Sequence, residues 1–317
     1  LFRSYTRSNS IRGTNSAQQI ENLNDLPTPY FEEYVSTIKK TSNEKRSARW
    51  LSLEASRGCY NRCAFCTDVI GWKGYRTKSP EKVAKEIKQL AVQYRIHNFQ
   101  FADAVTPNAV WWKSFAKLMK QHKRGLRIHA EARSTVSRKH FIHMIESGVV
   151  QIQFGCETLA SNILKTMNKN TRVIDNLHAM KLAEEFQINT GNNFMIRFPT
   201  ERKRDVKECI HNISYAVAYR PFEEPHNFVL EYGSCVINNP DSFGISNIKP
   251  YDMNCEYAAI PSFLLARYGS ISFSFKKKHY INYRLLMLAY RDWCDNYFKS
   301  LHKKRCLLSY RNMGTHG

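Results

Sequence analysis

The sequence predicts an α/β fold in which parallel β-strands are connected by helices. Strand-like runs alternate with helical runs from Trp50 onward, and strands joined by single helices pair in parallel through right-handed crossovers. Six such units fit either an open doubly wound sheet or a barrel, complete or partial. Several strands also carry a polar face, although a strand buried on both sides is apolar throughout. This feature favours a barrel whose interior holds a polar ligand.

The six predicted strands lie between residues 50 and 232. They are Trp50–Ser56, His97–Asp103, Leu126–Ala132, Val150–Cys156, Ile188–Ile196 and Asn227–Tyr232. Pro80 stands at a favourable first position for the first helix between them, and apolar residues then recur at helical spacing in residues 83–94. In either arrangement of the sheet, ligands bind at the carboxyl ends of the strands.

Three of these strands place polar residues on one face or at their carboxyl end. The residues are His129, Glu131 and Arg133 in the third strand, Gln151, Gln153, Gly155 and Glu157 in the fourth, and Asn192, Asn193 and Arg197 in the fifth. Because successive side chains point to opposite faces of a strand, these groups predict a polar interior. The alternative is a buried network of mutually paired ions.

Composition changes divide the chain into three predicted regions. Residues 1–46 are polar and proline-containing, and we expect a linker and the end of an upstream domain there. Residues 47–232 hold the strands and helices of the core. Residues 233–317 form a C-terminal extension, which we expect to cover the substrate side; it includes a predicted helix over 280–301 and is strongly basic from Lys276 onward. No apolar run reaches the ~18 residues of a membrane span.

The net charge and the cysteine content indicate the class of partner and the cellular compartment. The formal net charge of +21 favours an anionic partner, such as nucleic acid, an acidic peptide or an anionic cofactor, or reflects a solvated basic surface. Of the nine cysteines, six are scattered without pair-like spacing, which does not fit the disulfide framework of a small secreted chain. We therefore expect a cytoplasmic protein. Six scattered cysteines are predicted to be small buried apolar residues, namely Cys156, Cys209, Cys235, Cys255, Cys294 and Cys306.

Cys59, Cys63 and Cys66 fall within eight residues, in the spacing C-x3-C-x2-C, directly after the first predicted strand. Structural zinc usually takes four ligands from two such groups, and no second group is present. His97 or His129 could complete a zinc site, but their spacing does not indicate it. Three thiolates on one loop fit better to an iron–sulfur cluster that keeps one iron open.

With this loop after the first strand, the chain resembles the radical SAM enzymes over roughly residues 47–232. The resemblance implies a partial (β/α)6 TIM-like barrel with a mainly helical C-terminal extension. It also implies a 4Fe-4S cluster on the three cysteines, whose open iron binds S-adenosylmethionine (SAM), and reductive cleavage of SAM to a 5′-deoxyadenosyl radical. Phe65, the aromatic residue before the last cysteine, is expected near the adenine of SAM.

Further stretches resemble the cobalamin-dependent type of this family, and most closely the enzymes that mature ribosomally made peptides. They are residues 26–31, 75–80, 154–159, 164–169 and 193–201. By this resemblance Glu157 contacts SAM, and Asp103, Glu131, Arg133 and Arg197 are further cofactor-binding candidates. Arg197, Thr200 and Asn170 stand where the family has glycine, and asparagine is the replacement that best tolerates a left-handed backbone.

The resemblance implies a radical SAM methyltransferase that acts on a carbon of a ribosomally made peptide. It further implies cobalamin, from a domain outside these 317 residues, and a reductant such as a flavodoxin or ferredoxin. The alternatives are a tRNA-modifying radical SAM enzyme, which the positive charge favours, and a non-catalytic metal-binding module.

Overall fold

A single parallel sheet organises the computed structural model, which describes residues 3–5, 11–13, 19–41, 50–68, 72, 74–122, 125–221, 225–231, 233–250, 271–275 and 283–313. Its six strands are β3 (Trp50–Leu53), β6 (Asn98–Phe101), β7 (Arg127–Ala132), β8 (Val149–Glu157), β9 (Asn189–Ile196) and β10 (His226–Asn227). Short paired strands lie outside it: β1 (Arg3–Tyr5) with β2 (Ile11–Gly13), β4 (Ser56–Arg57) with β5 (Arg76–Thr77), and β11 (Ile245–Pro250) with β12 (Ile271–Phe275).

The order of the strands decides between the two predicted arrangements. All five pairings in the sheet are parallel, and each strand lies beside its neighbour in the sequence of strands, from β3 at one edge to β10 at the other. A doubly wound sheet would instead reverse its order at a switch point. The sheet curls into a half-barrel, so the prediction of a partial barrel is confirmed.

Nine helices are described along the chain. They are α1 (Glu32–Thr41), α2 (Pro80–Tyr94), α3 (Ala109–Met119), α4 (Arg138–Glu146), α5 (Ser161–Thr166), α6 (Val173–Glu185), α7 (Lys203–Ala216), α8 (Cys235–Asn238) and α9 (Arg284–Met313). The start of α2 follows from local chemistry, because the Ser79 side chain accepts a hydrogen bond from the Lys82 amide and Pro80 occupies the first turn. Helix α9 begins and ends later than the predicted 280–301.

The hydrophobic core lies between the sheet and its helices. In β8 the apolar face holds Ile152, Phe154 and Cys156, all with no exposed surface, whereas Gln151 and Gln153 on the other face are only half-buried. The alternation predicted for this strand is therefore confirmed. In β9 the predicted polar inner face is found only at Asn193, which accepts a 2.7 Å hydrogen bond from Gln153.

Asn192 departs from the predicted polar interior because it lies on the helix-facing side of β9. Its side chain is fully buried beside Cys156, whose Sγ donates to the Asn192 Oδ1 at 3.8 Å. The Asn192 amide group contacts the carbonyl oxygen of Arg220 at 3.4 Å. Asn192 therefore donates a hydrogen bond to a backbone carbonyl group in the segment that leads to β10.

The C-terminal helix α9 packs on the barrel through an apolar stripe. Leu286, Trp293 and Tyr297 are buried, and the Trp293 indole donates to the carbonyl oxygen of Tyr219 at 2.9 Å. The Tyr297 hydroxyl donates to Glu184 at 3.1 Å. These contacts attach the first half of α9 to the helical layer, with its charged residues outside.

The scattered cysteines only partly follow the prediction. Cys156 and Cys209 are buried free thiols, as predicted, and Cys294 is half-buried. For Cys235 the prediction is wrong: this residue is exposed, because it begins the short helix α8 at the surface. Cys255 and the side chain of Cys306 lie outside the described part of the chain. Among the described residues, no helix is both long and apolar enough to cross a membrane.

Candidate metal and cofactor site

The carboxyl ends of five of the six strands carry the candidate residues. The cysteine loop follows β3 and β4, Asp103 follows β6, Arg133 follows β7, Glu157 ends β8, and Arg197 follows β9. Because parallel strands end at one edge of the sheet, residues far apart in the sequence share one rim. This rim is where ligands bind in parallel α/β folds.

Backbone contacts fix the cysteine loop on the rim. The Ala64 amide donates to the carbonyl oxygen of Met167 at 2.8 Å, and the Ala64 carbonyl accepts from the Val236 amide at 3.1 Å. The Asn168 side chain donates to the Arg62 carbonyl at 2.8 Å. The loop is thereby tied both to the turn after α5 and to the C-terminal extension.

A close approach of two glycines shapes the entry to the loop. Gly58 has φ +78°, and a Cβ placed on it would stand 2.3 Å from the carbonyl oxygen of Gly74. Both the left-handed backbone and the contact exclude a side chain at this position. The turn that presents the first cysteine, Cys59, therefore depends on glycine.

The three thiols are half-buried and face different environments. The Cys59 sulfur accepts from the Asn61 amide at 3.4 Å, and the Cys66 sulfur contacts the Asp68 carboxylate at 3.3 Å. Burial raises the pKa of the Cys63 thiol, and it raises the pKa of Cys66 to about 12. Metal binding at this loop therefore has to displace protons, as it does at thiolate sites generally.

The described residues contain no group of three His, Cys, Asp or Glu that could hold a single metal ion. A site for one zinc ion needs ligands that converge on one point. Each cysteine of an iron–sulfur cluster binds a different iron, so the ligands can stand further apart. His97 precedes β6 and His129 lies within β7, so neither stands at the carboxyl ends of the strands with the cysteine loop.

A buried ion pair lies next to the cysteine loop. The Lys169 ammonium contacts Glu157 Oε1 at 2.7 Å, and their side chains are only 9% and 7% exposed. The ammonium also stands 5.5 Å from the centre of the Phe65 ring. Lys169 thus joins the two residues that the sequence had placed in a SAM site, and its charge lowers the pKa of Cys63 against the dominant effect of burial.

Gly155 provides the space that this pair occupies. A Cβ on Gly155 would lie 2.8 Å from the Lys169 ammonium and 3.2 Å from Glu157 Oε1. Glu157 itself has φ +64°, at an irregularity in the pairing of β8 with β9. A left-handed backbone costs a non-glycine residue about 1–2 kcal/mol, so the surrounding structure holds Glu157 in a strained orientation.

Asp103 faces the backbone of the β3–β4 junction. Its Oδ1 accepts from the amides of Ala55 and Ser56 at 2.8 and 2.9 Å, and it is 2% exposed. Burial raises the pKa of Asp103 to about 7. The carboxyl group thus orients the chain just before the cysteine loop, and its Oδ2 is buried without a hydrogen-bond partner among the described residues. Cofactor binding by Asp103 stays a prediction.

Arg133 and Glu131 occupy the rim in different ways. The Arg133 guanidinium donates to the Lys169 carbonyl, to the Asn170 carbonyl at 3.1 Å and to the Thr171 hydroxyl at 2.9 Å, so it holds the turn that carries Lys169. Its expected contact with a cofactor stays a prediction. Glu131 is half-buried, and burial, followed by the charges of Asp68 and Glu157, raises its pKa.

Arg197 has the left-handed backbone expected where glycine is usual, with φ +63°. Its amide donates to Glu201 Oε2 at 2.9 Å, and its guanidinium lies 5.5 Å from the centre of the Tyr283 ring. The Tyr283 hydroxyl donates to the same Glu201 oxygen at 2.5 Å. Asn170 is also left-handed, with φ 51°, whereas Thr200 is absent from the positive-φ residues of the described chain.

A family model for the Radical SAM superfamily matches residues 53–213, just over half of the chain. The chain belongs to the Radical SAM superfamily. The match spans the cysteine loop, β6 to β9 and the Glu157–Lys169 pair, which are the elements of the rim described above.

Two curated relatives are similar to parts of this chain. The chain is 26% identical over 210 residues to an uncharacterized methyltransferase of Pyrococcus horikoshii, covering 65% of this chain and 45% of the relative. It is 30% identical over 161 residues to an anaerobic magnesium-protoporphyrin IX monomethyl ester cyclase of Cereibacter sphaeroides, covering 48% and 26%. The chain thus spans less than half of these relatives.

Two solved radical SAM enzymes share the fold. The cobalamin-dependent SAM radical enzyme OxsB with aqua-cobalamin bound superposes with a TM-score of 0.65 at 18% identity, over 98% of this chain and 51% of that one. The radical SAM methyltransferase TsrM from Kitasatospora setae, with cobalamin and its cluster bound, gives a TM-score of 0.51 at 16% identity, over 63% and 42%. At these identities the likeness concerns the fold.

The residues at the rim fit the cofactors of the family. Three thiols on one anchored loop supply the donor set of a cluster with an open iron. Beside them, the side-chain-free Gly155 leaves room for paired charges of both signs, which suits the ammonium and carboxylate of an amino-acid group. Cys59, Cys63 and Cys66 would hold the cluster, and Glu157, Lys169 and Phe65 would face SAM.

Sequence reasoning missed Lys169, Glu201 and Tyr283 as members of the rim. The resemblance had marked the stretches that contain Lys169 and Glu201 without assigning either residue a role. Tyr283 lies beyond the core, and only the docking of α9 brings it to Glu201. A long-range contact of this kind has no local signal in the sequence.

Proposed function

We propose that this chain is the catalytic core of a cobalamin-dependent radical SAM C-methyltransferase whose substrate is a ribosomally made peptide. The observation that carries the assignment to SAM chemistry is the pairing of Glu157 with Lys169 at 2.7 Å directly beside the three-cysteine loop. When bound, the cluster supplies the electron that cleaves the sulfonium bond of SAM.

The side chains of the rim have distinct tasks in this proposal. Glu157 accepts hydrogen bonds from the amino group or ribose of SAM, and Lys169 offers a buried cation to its carboxylate. Phe65 presents an aromatic face to the adenine. Gly58 and Asp103 hold the loop in place, so the reacting groups are positioned before SAM arrives.

Methyl transfer is supported by two of the similarities. The P. horikoshii relative is named a methyltransferase, and the OxsB structure, which superposes over nearly the whole chain, contains cobalamin. The cobalamin would come from a part of the protein outside this sequence. The C-terminal extension contacts the rim at Ala64 and Glu201, which supports its expected place on the substrate side.

A peptide substrate is supported by the resemblance of several stretches to peptide-maturing enzymes and by the charge of +21, which favours an acidic leader segment. The test uses the full-length protein with reconstituted cluster and cobalamin, a reductant, SAM labelled with CD3 on its methyl group, and candidate precursor peptides. We expect a mass increase of about 17 Da on a peptide carbon and formation of 5′-deoxyadenosine. SAM cleavage without label on any peptide would refute the substrate while leaving SAM chemistry intact.

A tRNA-modifying enzyme is the second candidate, and the positive charge favours it. The discriminating observation is the salt dependence of tRNA binding. Contacts with several phosphates give a steep fall of affinity with salt, and labelled tRNA would then replace labelled peptide as the product. Weak binding with a shallow salt dependence would exclude this candidate.

A further inference from the structure

A cavity lies at the opposite end of the barrel from the cysteine loop. Its volume is about 410 Å³, within the ~300–1,000 Å³ range of small-molecule sites. His97 and Leu126 line it, and they directly precede β6 and β7. The cavity therefore opens at the amino-terminal side of the sheet, where the SAM site does not reach.

Four basic side chains line this cavity: Lys88, Arg95, His97 and His122. Their side chains form no hydrogen bond or ion pair with another residue in the described part of the chain. No aspartate or glutamate of the described residues lines the cavity either. The cavity thus offers two permanent positive charges and two imidazoles without a counter-charge.

Helix electrostatics accounts for only part of this arrangement. A helix dipole favours cations near the helix C-terminus, where Arg95 follows α2 directly, but Lys88 lies two turns before that end. The surrounding sequence is also basic: between Asp103 and Glu131 there are six Lys or Arg and no acidic residue. The charges point to an anionic ligand.

Apart from Gln121, the remaining walls of the cavity are apolar. Ala91, Met119 and Leu126 contribute to them, and such surface favours an organic group attached to the anion. A phosphate monoester carries a charge of about −1.5 to −2 at pH 7, which Lys88 and Arg95 would neutralise. Arginine binds phosphate oxygens through two parallel hydrogen bonds.

We propose that this cavity is a binding site for a phosphate monoester with an apolar organic group, separate from the SAM site. Lys88 and Arg95 bind the phosphate, His97 and His122 donate further hydrogen bonds, and the apolar wall contacts the organic group.

The test measures binding of phenyl phosphate to the full 317-residue chain by isothermal titration calorimetry. Phenyl phosphate carries the required charge and ring but no adenosine, so it does not compete for a SAM site. We expect saturable binding of one molecule, weaker binding of inorganic phosphate, and no binding of phenol. Because screening weakens exposed charge pairs, affinity should fall as salt is raised.

Two variants and two matched controls locate the site. Lys88→Gln and Arg95→Asn should each weaken binding about tenfold or more, because each removes a charge-assisted hydrogen bond. Asparagine suits the left-handed backbone of Arg95, φ 55°. Lys85→Gln on α2 and Lys117→Gln on α3 remove exposed charges outside the cavity and should leave affinity within about twofold.

The outcomes separate this proposal from its rivals. Absence of saturable phenyl phosphate binding, or equal binding by Lys88→Gln and the wild type, overturns it. If only an RNA oligonucleotide binds, and Lys85→Gln weakens that binding as much as Lys88→Gln does, the surface binds nucleic acid and the proposal is also wrong. Production of 5′-deoxyadenosine from SAM should be unchanged in all four variants, which shows that they fold.

Discussion

Replacing Lys169 with methionine should destabilise the protein through Glu157. The pair joins at 2.7 Å with both side chains less than a tenth exposed, and removal of one partner leaves a buried charge without compensation. Breaking a buried pair in this way costs about 3–5 kcal/mol. Methionine fills a similar volume, so the loss reflects the charge of Glu157 rather than a cavity.

A double-mutant cycle separates the pair from its neighbours. Lys169→Met and Glu157→Gln should each lower the free energy of unfolding, measured by urea denaturation. The double variant should be more stable than Lys169→Met, because two neutral side chains need no counter-charge.

The matched control is Lys165→Met, which removes the same charge four residues earlier at an exposed position. It should change the free energy of unfolding by less than about 0.5 kcal/mol. A loss below about 1 kcal/mol in Lys169→Met, or a double variant no more stable than that single variant, would refute the reasoning. SAM binding measured on the same proteins should fall in Lys169→Met and persist in Lys165→Met.

Three further predictions concern the supports of the rim. Gly58→Ala should prevent cluster incorporation, because its Cβ would stand 2.3 Å from the Gly74 carbonyl oxygen. The loss is measured as missing absorbance near 400 nm. Gly125→Ala, at φ +81° with open space around it, controls for backbone strain alone. Asp103→Ala should lower both stability and iron content, because two buried amides lose their acceptor at about 1–3 kcal/mol each. Burial raises the pKa of Glu201 to about 7. The contribution of Glu201 to stability is therefore present at low pH and is lost as pH rises from about 4.5 to 7. Glu201→Gln should flatten that part of the curve of stability against pH.

Each of these has a result that would contradict it. An iron content in Gly58→Ala equal to that of Gly125→Ala would show that the loop does not need the close approach. Full iron content in Asp103→Ala would mean that the cysteine loop positions itself without the carboxyl group. Identical pH profiles of stability for Glu201→Gln and the wild type would show that Glu201 titrates alike in the folded and unfolded chain.

The barrel strands and the cysteine loop could be predicted because their signals are local. Alternation in residues 149–157 reflects one strand with two different faces, and the spacing of three cysteines is read within eight residues. The pairing order of strands decided between barrel and doubly wound sheet, and that order depends on contacts between distant segments. No local pattern encodes it.

The roles of single rim residues were harder to predict for the same reason. Asp103 and Arg133 stand at strand ends, as expected, yet their side chains satisfy backbone groups of neighbouring segments. Whether a charged group at a rim turns to a ligand or to the chain depends on the nearest unpaired backbone atoms. Those atoms belong to loops whose placement follows only from the folded structure.

The direct test of SAM chemistry at this loop is anaerobic reconstitution followed by measurement of 5′-deoxyadenosine from SAM. The wild type should bind close to four irons per chain and form 5′-deoxyadenosine when reduced. Cys66→Ala should lose this product, whereas Cys294→Ala, a half-buried thiol in α9, should retain it. An iron content near zero in the wild type, or full SAM cleavage by Cys66→Ala, would contradict the assignment.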